Sequence, residues 1–162
     1  MIIAIDPGTT LSAYVMLSNN FIPIEFGKIP NEELLDILYK YTFVENDHLV
    51  IEMISCYGAN VGETIFETVF WIGRFYEACD CKNKIRIKRK EVKMNLCHSM
   101  RAKDGDIRKA LISRFAKHDF KNGKGTINNK DWFFGFKADI WQSYALGVTF
   151  FDTSMKSNKI DS

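Results

Sequence analysis

Acidic side chains stand at the ends of two apolar segments and at the start of a third. Asp6 ends the segment that begins at Ile2, Glu52 ends the segment that begins at His48, and Asp139 precedes an apolar stretch late in the chain. Taken singly, each has an ordinary explanation: an Asp-Pro turn, a polar residue leaving the core, and a helix cap, respectively. Taken together, they are the hard oxygen ligands that a divalent cation such as Mg²⁺ prefers.

The segments around these acids decide whether the carboxylates can meet. The predicted strands are residues 2–6, 10–17, 21–29, 48–51 and 85–88, and the predicted helices are residues 31–41, 63–79, 90–98, 104–118 and 138–151. Short links between the first three strands indicate an antiparallel meander. If the first and fourth strands run the same way, Asp6 and Glu52 lie at one edge of the sheet, where open α/β sheets build their sites.

The helix predicted over residues 63–79 is apolar on more than one side. Its large apolar residues are Ile65, Phe66, Val69, Phe70, Trp71, Ile72, Phe75 and Tyr76. Such a helix has to be covered on two sides. Either it lies in the centre of the core, or a partner subunit covers its second side, and the pattern allows both.

Basic residues are concentrated in one part of the chain. Residues 1–81 carry 3 basic and 12 acidic side chains, whereas residues 82–137 carry 17 and 5, a charge of +12. A surface with so one-signed a charge is typical of nucleic-acid binding, although a merely solvated face is the alternative. Aromatic residues between Lys130 and Lys137 fit either base stacking or the anchoring of a long loop to the core.

Length and composition favour one domain, residues 1–151, followed by a polar and flexible tail, residues 152–162. No apolar run approaches the ~20 residues needed to cross a bilayer, and no basic region precedes the first apolar segment as in a signal peptide. The four cysteines contain no C-x-x-C pair, which argues against a zinc site. Free thiols fit a reducing, cytoplasmic compartment.

The order of elements and acids resembles the ribonuclease-H-like superfamily and, within it, the RuvC family of Holliday-junction resolvases. The matching stretches are IAIDPGTT (residues 3–10), LVIE (49–52), EVK (91–93), AKD (102–104) and AD (138–139). The resemblance covers about residues 1–151. It implies an α/β fold with a mixed five-stranded sheet flanked by helices. Details shared with viral relatives suggest a bacteriophage protein that acts in the host cytoplasm.

The resemblance also implies roles for individual residues. Asp6, Glu52 and Asp139 match positions that bind metal, whereas Gln142 stands where the family has another Asp. Lys103 falls near a position beside the scissile phosphate, so the expected catalytic set is Asp6, Glu52, Lys103, Asp139 and Gln142. The expected nucleic-acid contacts are Tyr57, Lys88, Arg89, Lys90, Lys93, Arg101, Lys103, Arg108, Lys121 and Lys124. Tyr57 is a wedge for the junction centre or an aromatic packed on its own subunit.

Phosphodiester hydrolysis needs an activated water, a neutralised phosphate and a stabilised leaving oxygen, which two Mg²⁺ ions about 4 Å apart supply. Together with this chemistry, the resemblance implies a homodimeric Mg²⁺-dependent endonuclease, with Mn²⁺ as a substitute, that nicks four-way junctions and other branched DNA. A ribonuclease H acting on RNA–DNA hybrids and a catalytically weak module for branched DNA are the alternatives. The stretch IDPGTT also resembles the phosphate loop of actin-like ATPases, but 162 residues leave no room for their second domain.

Overall fold

The computed structural model describes residues 1–55 and 62–157 of the chain. Its strands are β1 (Ile2–Asp6), β2 (Leu11–Leu17), β3 (Pro23–Pro30), β4 (His48–Met53) and β5 (Asn83–Lys88). Its helices are α1 (Asn31–Lys40), α2 (Glu63–Ala78), α3 (Arg89–Cys97), α4 (Asp104–Phe115) and α5 (Ile140–Ser157). Within the described residues, no helix combines the length and the apolarity needed to cross a bilayer.

The five strands form one mixed sheet in the order β3-β2-β1-β4-β5. The pairs β1–β2 and β2–β3 are antiparallel, whereas β1–β4 and β4–β5 are parallel. This arrangement confirms the predicted α/β fold with a mixed five-stranded sheet and flanking helices. It also confirms that the first and fourth strands run the same way.

Each face of the sheet carries its own apolar core, because side chains alternate between the two faces along a strand. Ile3 and Ile5 of β1 pack with residues of α1 and α2. Ile2 and Ala4 pack with residues of α3, α4 and α5 on the opposite face. The candidate acids Asp6 and Glu52 have the same parity as Ala4 and Val50, so their side chains belong to the α5 face.

Among the described residues, helix α2 is buried on one side only. Thr68, Ile72, Phe75 and Ala78 face the sheet, whereas Phe66 and Phe70 are 65% and 59% exposed. Of the two alternatives, the central core helix is therefore the wrong one, because no element of the described chain covers the second apolar side.

Two helix ends differ from the prediction. Helix α4 ends at Phe115 rather than at residue 118, because the Asp131 carboxylate accepts the N–H groups of Lys117 and His118. Helix α5 continues to Ser157 rather than ending at residue 151. Residues 152–157 are thus helical and not a loose tail, and Asp152 pairs with Arg114 at 2.7 Å.

The aromatic residues of the long loop before α5 anchor it to the core. Phe133 and Phe136 are fully buried, and both rings contact Trp141 of α5, at 4.5 and 5.4 Å between centroids. Anchoring rather than base stacking is therefore the role of these two rings. The Asp131 and Asp119 carboxylates accept backbone N–H groups around the loop and hold its path.

Helix α5 lies close against the sheet at Gly147. A Cβ atom at this position would lie 2.2 Å from Cδ1 of the fully buried Leu17 and 3.4 Å from the Cβ of Ala4. The glycine therefore sets the distance between α5 and strands β1 and β2. That distance in turn sets where the N-terminal end of α5 stands relative to Asp6.

We expect Gly147→Ala to destabilise the protein by about 1–3 kcal/mol, because overpacking outweighs the helix propensity of alanine. The matched control is Gly105→Ala in α4, where a Cβ would meet no atom within 4 Å. That control should be neutral or stabilising by up to about 1 kcal/mol. Chemical denaturation of both variants measures the difference. Equal changes in the free energy of unfolding would contradict the close approach.

Candidate active site

A row of residues across the sheet positions the first two acids. Ile5 pairs with Ile51 in parallel register, so the next residues, Asp6 and Glu52, lie side by side at the carboxyl ends of β1 and β4. On the other side of β1, Asp6 pairs with Ala13, and Ala13 pairs with Lys28. Residues directly abreast in a sheet share a face. The parallel register therefore brings Asp6 and Glu52 together, as the sequence predicted.

Asp139 reaches the same edge from the beginning of α5. Its backbone carbonyl accepts the N–H groups of Gln142 and Ser143, at 2.9 and 3.1 Å, so it caps the helix. Its carboxylate binds the Lys28 ammonium, with 2.5 Å between Nζ and Oδ2. A cleft of about 280 Å³ is lined by Asp6, Lys28, Asp139 and the turn that follows β1. The helix cap and the metal-ligand hypothesis for Asp139 are thus compatible.

The turn after Asp6 is held by a small buried network. The Gly8 N–H donates to Oγ of Ser12 at 3.1 Å, the Ser12 hydroxyl donates to Asn31 Oδ1 at 2.7 Å, and Asn31 Nδ2 donates to the Gly8 carbonyl at 3.0 Å. A Cβ at Gly8 would lie 2.3 Å from the Leu11 carbonyl oxygen, so only glycine fits there. The network fixes the backbone that carries the Asp6 carboxylate.

Arg89 lies among the acids rather than on an outer surface. Its guanidinium donates to Glu52 Oε2 at 3.3 Å and also to Asp104 at the start of α4. Arg89 was predicted as a nucleic-acid contact, and in this structure it is the partner of two carboxylates. Lys93 stands one turn further along α3 and its charge also acts on Glu52.

Burial, and then the nearby charge of Glu52, raises the pKa of Asp6 to about 8. Asp139 contributes in the same direction, whereas Arg89 and Lys28 oppose the rise. Burial also raises the pKa of Glu52 above its usual range, against the effect of Arg89. The two basic side chains therefore do not neutralise the acids fully. A bound cation would therefore stabilise the ionised carboxylates of this site.

The donors present fit a hard divalent cation. Carboxylate oxygens are its preferred ligands, and Gln142 adds an amide oxygen that is buried and has no hydrogen-bond partner. Among the described residues, however, no three His, Cys, Asp or Glu side chains are already grouped as metal ligands. Lys28 forms an ion pair with Asp139, and Arg89 forms one with Glu52. A metal ion would have to replace these contacts or share the carboxylates with them.

Gln142 lies one turn into α5 from Asp139, on the same side of the helix. It is 8% exposed and lines a second cleft with Asp104, Arg108, Asp139 and Trp141. The amide is thus placed beside the acids, as its position in the sequence predicted. It contributes an oxygen but no negative charge.

The predicted basic contacts fall into two groups around the acids. Arg89, Lys90 and Lys93 line a cleft of about 240 Å³ with Met100. The second group contains Arg108, which lies over the Trp141 ring at 4.6 Å, and Lys124. Burial, and then the charges of Arg108 and Lys137, lowers the pKa of Lys124. The predicted contacts that are exposed are Lys88, Lys90, Arg101, Lys103 and Lys121.

The roles predicted for Lys103 and Tyr57 have no support among the described residues. Among their hydrogen bonds and ion pairs, none joins the Lys103 side chain to Asp6, Glu52 or Asp139, although Lys103 directly precedes α4. The catalytic role of Lys103 therefore stays a prediction that no such contact supports. Tyr57 lies outside the described residues.

Lys28 is the site residue that the sequence interpretation missed. Its charge lies on β3, two strands from Asp6, and only the pairing register connects the two. The turn at residues 18–20 that joins β2 to β3 could have suggested that register. It could not have shown that the Lys28 ammonium reaches Asp139, because that contact joins residues 111 positions apart.

Comparison with known proteins bears on the fold. No family model and no curated protein matches the sequence. A structure of Thermus thermophilus RuvC matches with a TM-score of 0.59 and 12% identity, covering 96% of each chain. A structure of T. thermophilus RuvC in complex with a Holliday junction substrate has a TM-score of 0.57 and 11% identity, covering 96% of this chain and 95% of that one. The chain therefore has a RuvC-like fold.

The raised pKa of Asp6 predicts how stability depends on pH without metal. Between about pH 4 and 8 the folded chain keeps a proton on Asp6 that the unfolded chain has released, so stability falls as pH rises. In EDTA we expect Asp6→Asn to be more stable than the wild type at pH 8, by about 2 kcal/mol, and much less so at pH 5.

Denaturation with urea at both pH values measures this difference. Addition of Mg²⁺ at pH 8 should stabilise the wild type more than Asp6→Asn, because the ion compensates the carboxylate charge. If the free energies of unfolding of the two proteins differ by the same amount at pH 5 and at pH 8, the raised pKa of Asp6 is contradicted.

Proposed function

We propose that this protein is a metal-dependent endonuclease that nicks branched DNA, with four-way junctions as its main substrate. The observation that carries the proposal is the placement of Asp6 and Glu52 side by side on parallel strands, with Asp139 facing the same edge. Asp6 and Asp139 in one cleft, with Glu52 beside Asp6 and basic side chains nearby, are suited to a metal ion and a phosphodiester. The RuvC-like fold of the chain supports the same proposal.

In this proposal, Asp6, Glu52 and Asp139 hold Mg²⁺, with Mn²⁺ as a substitute. The bound ion would activate a water molecule and neutralise the charge of the phosphate. The protein contributes the orientation of the carboxylates, since the Gly8 turn and the cap of α5 fix their backbones. Arg89, which is held between Glu52 and Asp104, fixes the Glu52 carboxylate from the side of α3 and α4.

The basic side chains give the DNA strand a path past the acids. Arg108 stands on Trp141, which also contacts the buried rings of Phe133 and Phe136, and Lys137 follows Phe136 in the chain. Lys124 belongs to the same group, as the effect of Arg108 and Lys137 on its pKa indicates. Three cations on a rigid aromatic support can hold a backbone phosphate with little loss of side-chain freedom.

The choice of branched DNA is supported by one of the similar structures, which shows T. thermophilus RuvC with a Holliday junction substrate. At 11% identity that likeness reaches this chain through the fold alone. A second candidate, a branched-DNA-binding module with weak catalysis, is favoured by the neutral Gln142 among the acids. Cleavage assays separate the two candidates.

We expect Asp6→Asn and Glu52→Gln each to lower the rate of junction nicking by about 100-fold or more, because each removes a metal ligand. DNA affinity in the absence of metal should change little, because phosphate contacts come from the basic side chains. The matched control is Asp36→Asn, which removes an exposed carboxylate of α1 from its pair with Lys40.

The assay compares four-way junction, fork, flap, duplex and RNA–DNA hybrid side by side, with Mg²⁺ and with Mn²⁺. The proposal expects the junction to be cut fastest. Preferential cleavage of the hybrid would instead indicate a ribonuclease H. Normal cleavage by both acid variants would show that the active site lies elsewhere, and tight binding without cleavage by the wild type would indicate the binding module.

We also propose that the protein acts as a homodimer that pairs through α2. Phe66, Val69, Phe70 and Gly73 follow the spacing of one helix face, and the three large side chains are 41–65% exposed. Arg74, beside this stripe, lies over the Trp71 ring at 4.3 Å and pairs with Glu32 of α1 at 2.8 Å, which fixes the helix against its own subunit. Such a stripe is typical of a helix that packs on a second helix.

We expect Phe70→Glu to convert the dimer to a monomer, because a carboxylate cannot be buried unpaired in an apolar contact. Light scattering coupled to size exclusion measures the mass. The control is Phe120→Glu, since Phe120 is 69% exposed and stands with the loop on the other face of the sheet. Loss of the dimer in the control, or its survival in Phe70→Glu, would contradict pairing through α2.

A further inference from the structure

A lysine ammonium group occupies the position beside Asp139. Lys28 Nζ lies 2.5 Å from Asp139 Oδ2, and both side chains line the cleft that contains Asp6. Neither is deeply buried: Lys28 is 36% and Asp139 is 47% exposed at the side chain. The contact is therefore a partly solvated charge pair at the mouth of the candidate active site.

The sheet explains how Lys28 reaches this position. Neighbouring strands are about 4.8 Å apart, so Lys28 begins about 10 Å from Asp6, with β2 between them. The residue of β2 in the same row is Ala13, whose side chain is a single methyl group. A lysine can extend over an alanine, whereas a large residue in this row would stand in its way.

The other neighbour of Asp139 carries no charge. Gln142 is buried, and its Oε1 has no hydrogen-bond partner. A second divalent cation bound at Asp139 and Gln142 would therefore have one carboxylate, and it would share that carboxylate with the Lys28 ammonium. Both features lower the affinity for a second ion at this end of the cleft.

Charge balance points the same way. With all four acids ionised, as metal binding requires, Asp6, Glu52, Asp104 and Asp139 carry a charge of −4, and their contacting partners Lys28 and Arg89 reduce it to a formal −2. One divalent ion neutralises this charge. A second ion would have to bind to a group that is already neutral overall.

We propose that each chain binds one divalent cation rather than two, and that the Lys28 ammonium group supplies the positive charge beside Asp139. A lysine ammonium has three N–H donors, of which Asp139 takes one. Because Lys28 lines the cleft, the others can donate to a non-bridging oxygen of the phosphate that is cut. The inference rests on the proposed function, because it concerns how the same site neutralises its substrate.

The test counts bound Mn²⁺ by isothermal titration of the purified protein. The wild type should bind one ion per chain. The double variant Lys28→Met with Gln142→Asp removes the ammonium and adds a carboxylate, so it should bind a second ion with a Kd within about tenfold of the first.

The matched control is Lys40→Met with Gln142→Asp. It adds the same carboxylate and removes a lysine that forms an exposed pair on α1, but it keeps Lys28. This control should still bind one ion. Because the wild-type count stands alone, the inference remains testable even if a variant fails to fold.

Each outcome separates the inference from the proposed function. Two ions on the wild type, or two on the control, would overturn the role of Lys28 and leave a metal-dependent nuclease intact. No ion on the wild type would overturn the proposed metal site and the inference with it. One ion on the wild type, one on the control and two on the Lys28 variant would support both.

Discussion

The parallel pairing of β1 with β4 is the constraint on which the site depends. Because Ile5 pairs with Ile51, the next residue of each strand is an acid, and the two carboxylates emerge side by side on the α5 face. Burial and this juxtaposition raise the pKa of Asp6. Two side chains on other strands and helices, Lys28 and Arg89, offset part of the charge. The acids are therefore held together by a backbone register and kept in balance by cations that arrive from elsewhere in the fold.

The rest of the molecule serves to keep that edge in place. Gly147 lets α5 approach β1 and β2 closely, so that the helix begins where Asp139 can join the other acids. On the opposite side, Asn31 and Ser12 fix the turn after Asp6. The long loop before α5 is held by the Asp131 and Asp119 carboxylates and by buried aromatic rings, which gives its cations a fixed support beside the cleft.

Much of this arrangement could be predicted from sequence because it follows from local patterns. The apolar runs before Asp6 and Glu52 predicted strands that end in acids, and the structure confirms the shared edge. The contact of Lys28 with Asp139 could not be predicted, because it depends on the register of β3, which the apolar pattern of that strand does not specify. The end of α4 was missed for a related reason: the carboxylate that takes over its N–H groups is Asp131, which is distant in sequence. The sequence shows that Gln142 is neutral, but it could not show that its amide oxygen is buried without a hydrogen-bond partner.

We propose that the adjacent carboxylates of Asp6 and Glu52 form a metal site, and anomalous diffraction from crystals soaked in Mn²⁺ would locate the ion. We expect a peak about 2.0–2.5 Å from a carboxylate oxygen of each residue. A well-ordered cleft with no peak at these two carboxylates, or with the ion bound elsewhere, would contradict the proposal.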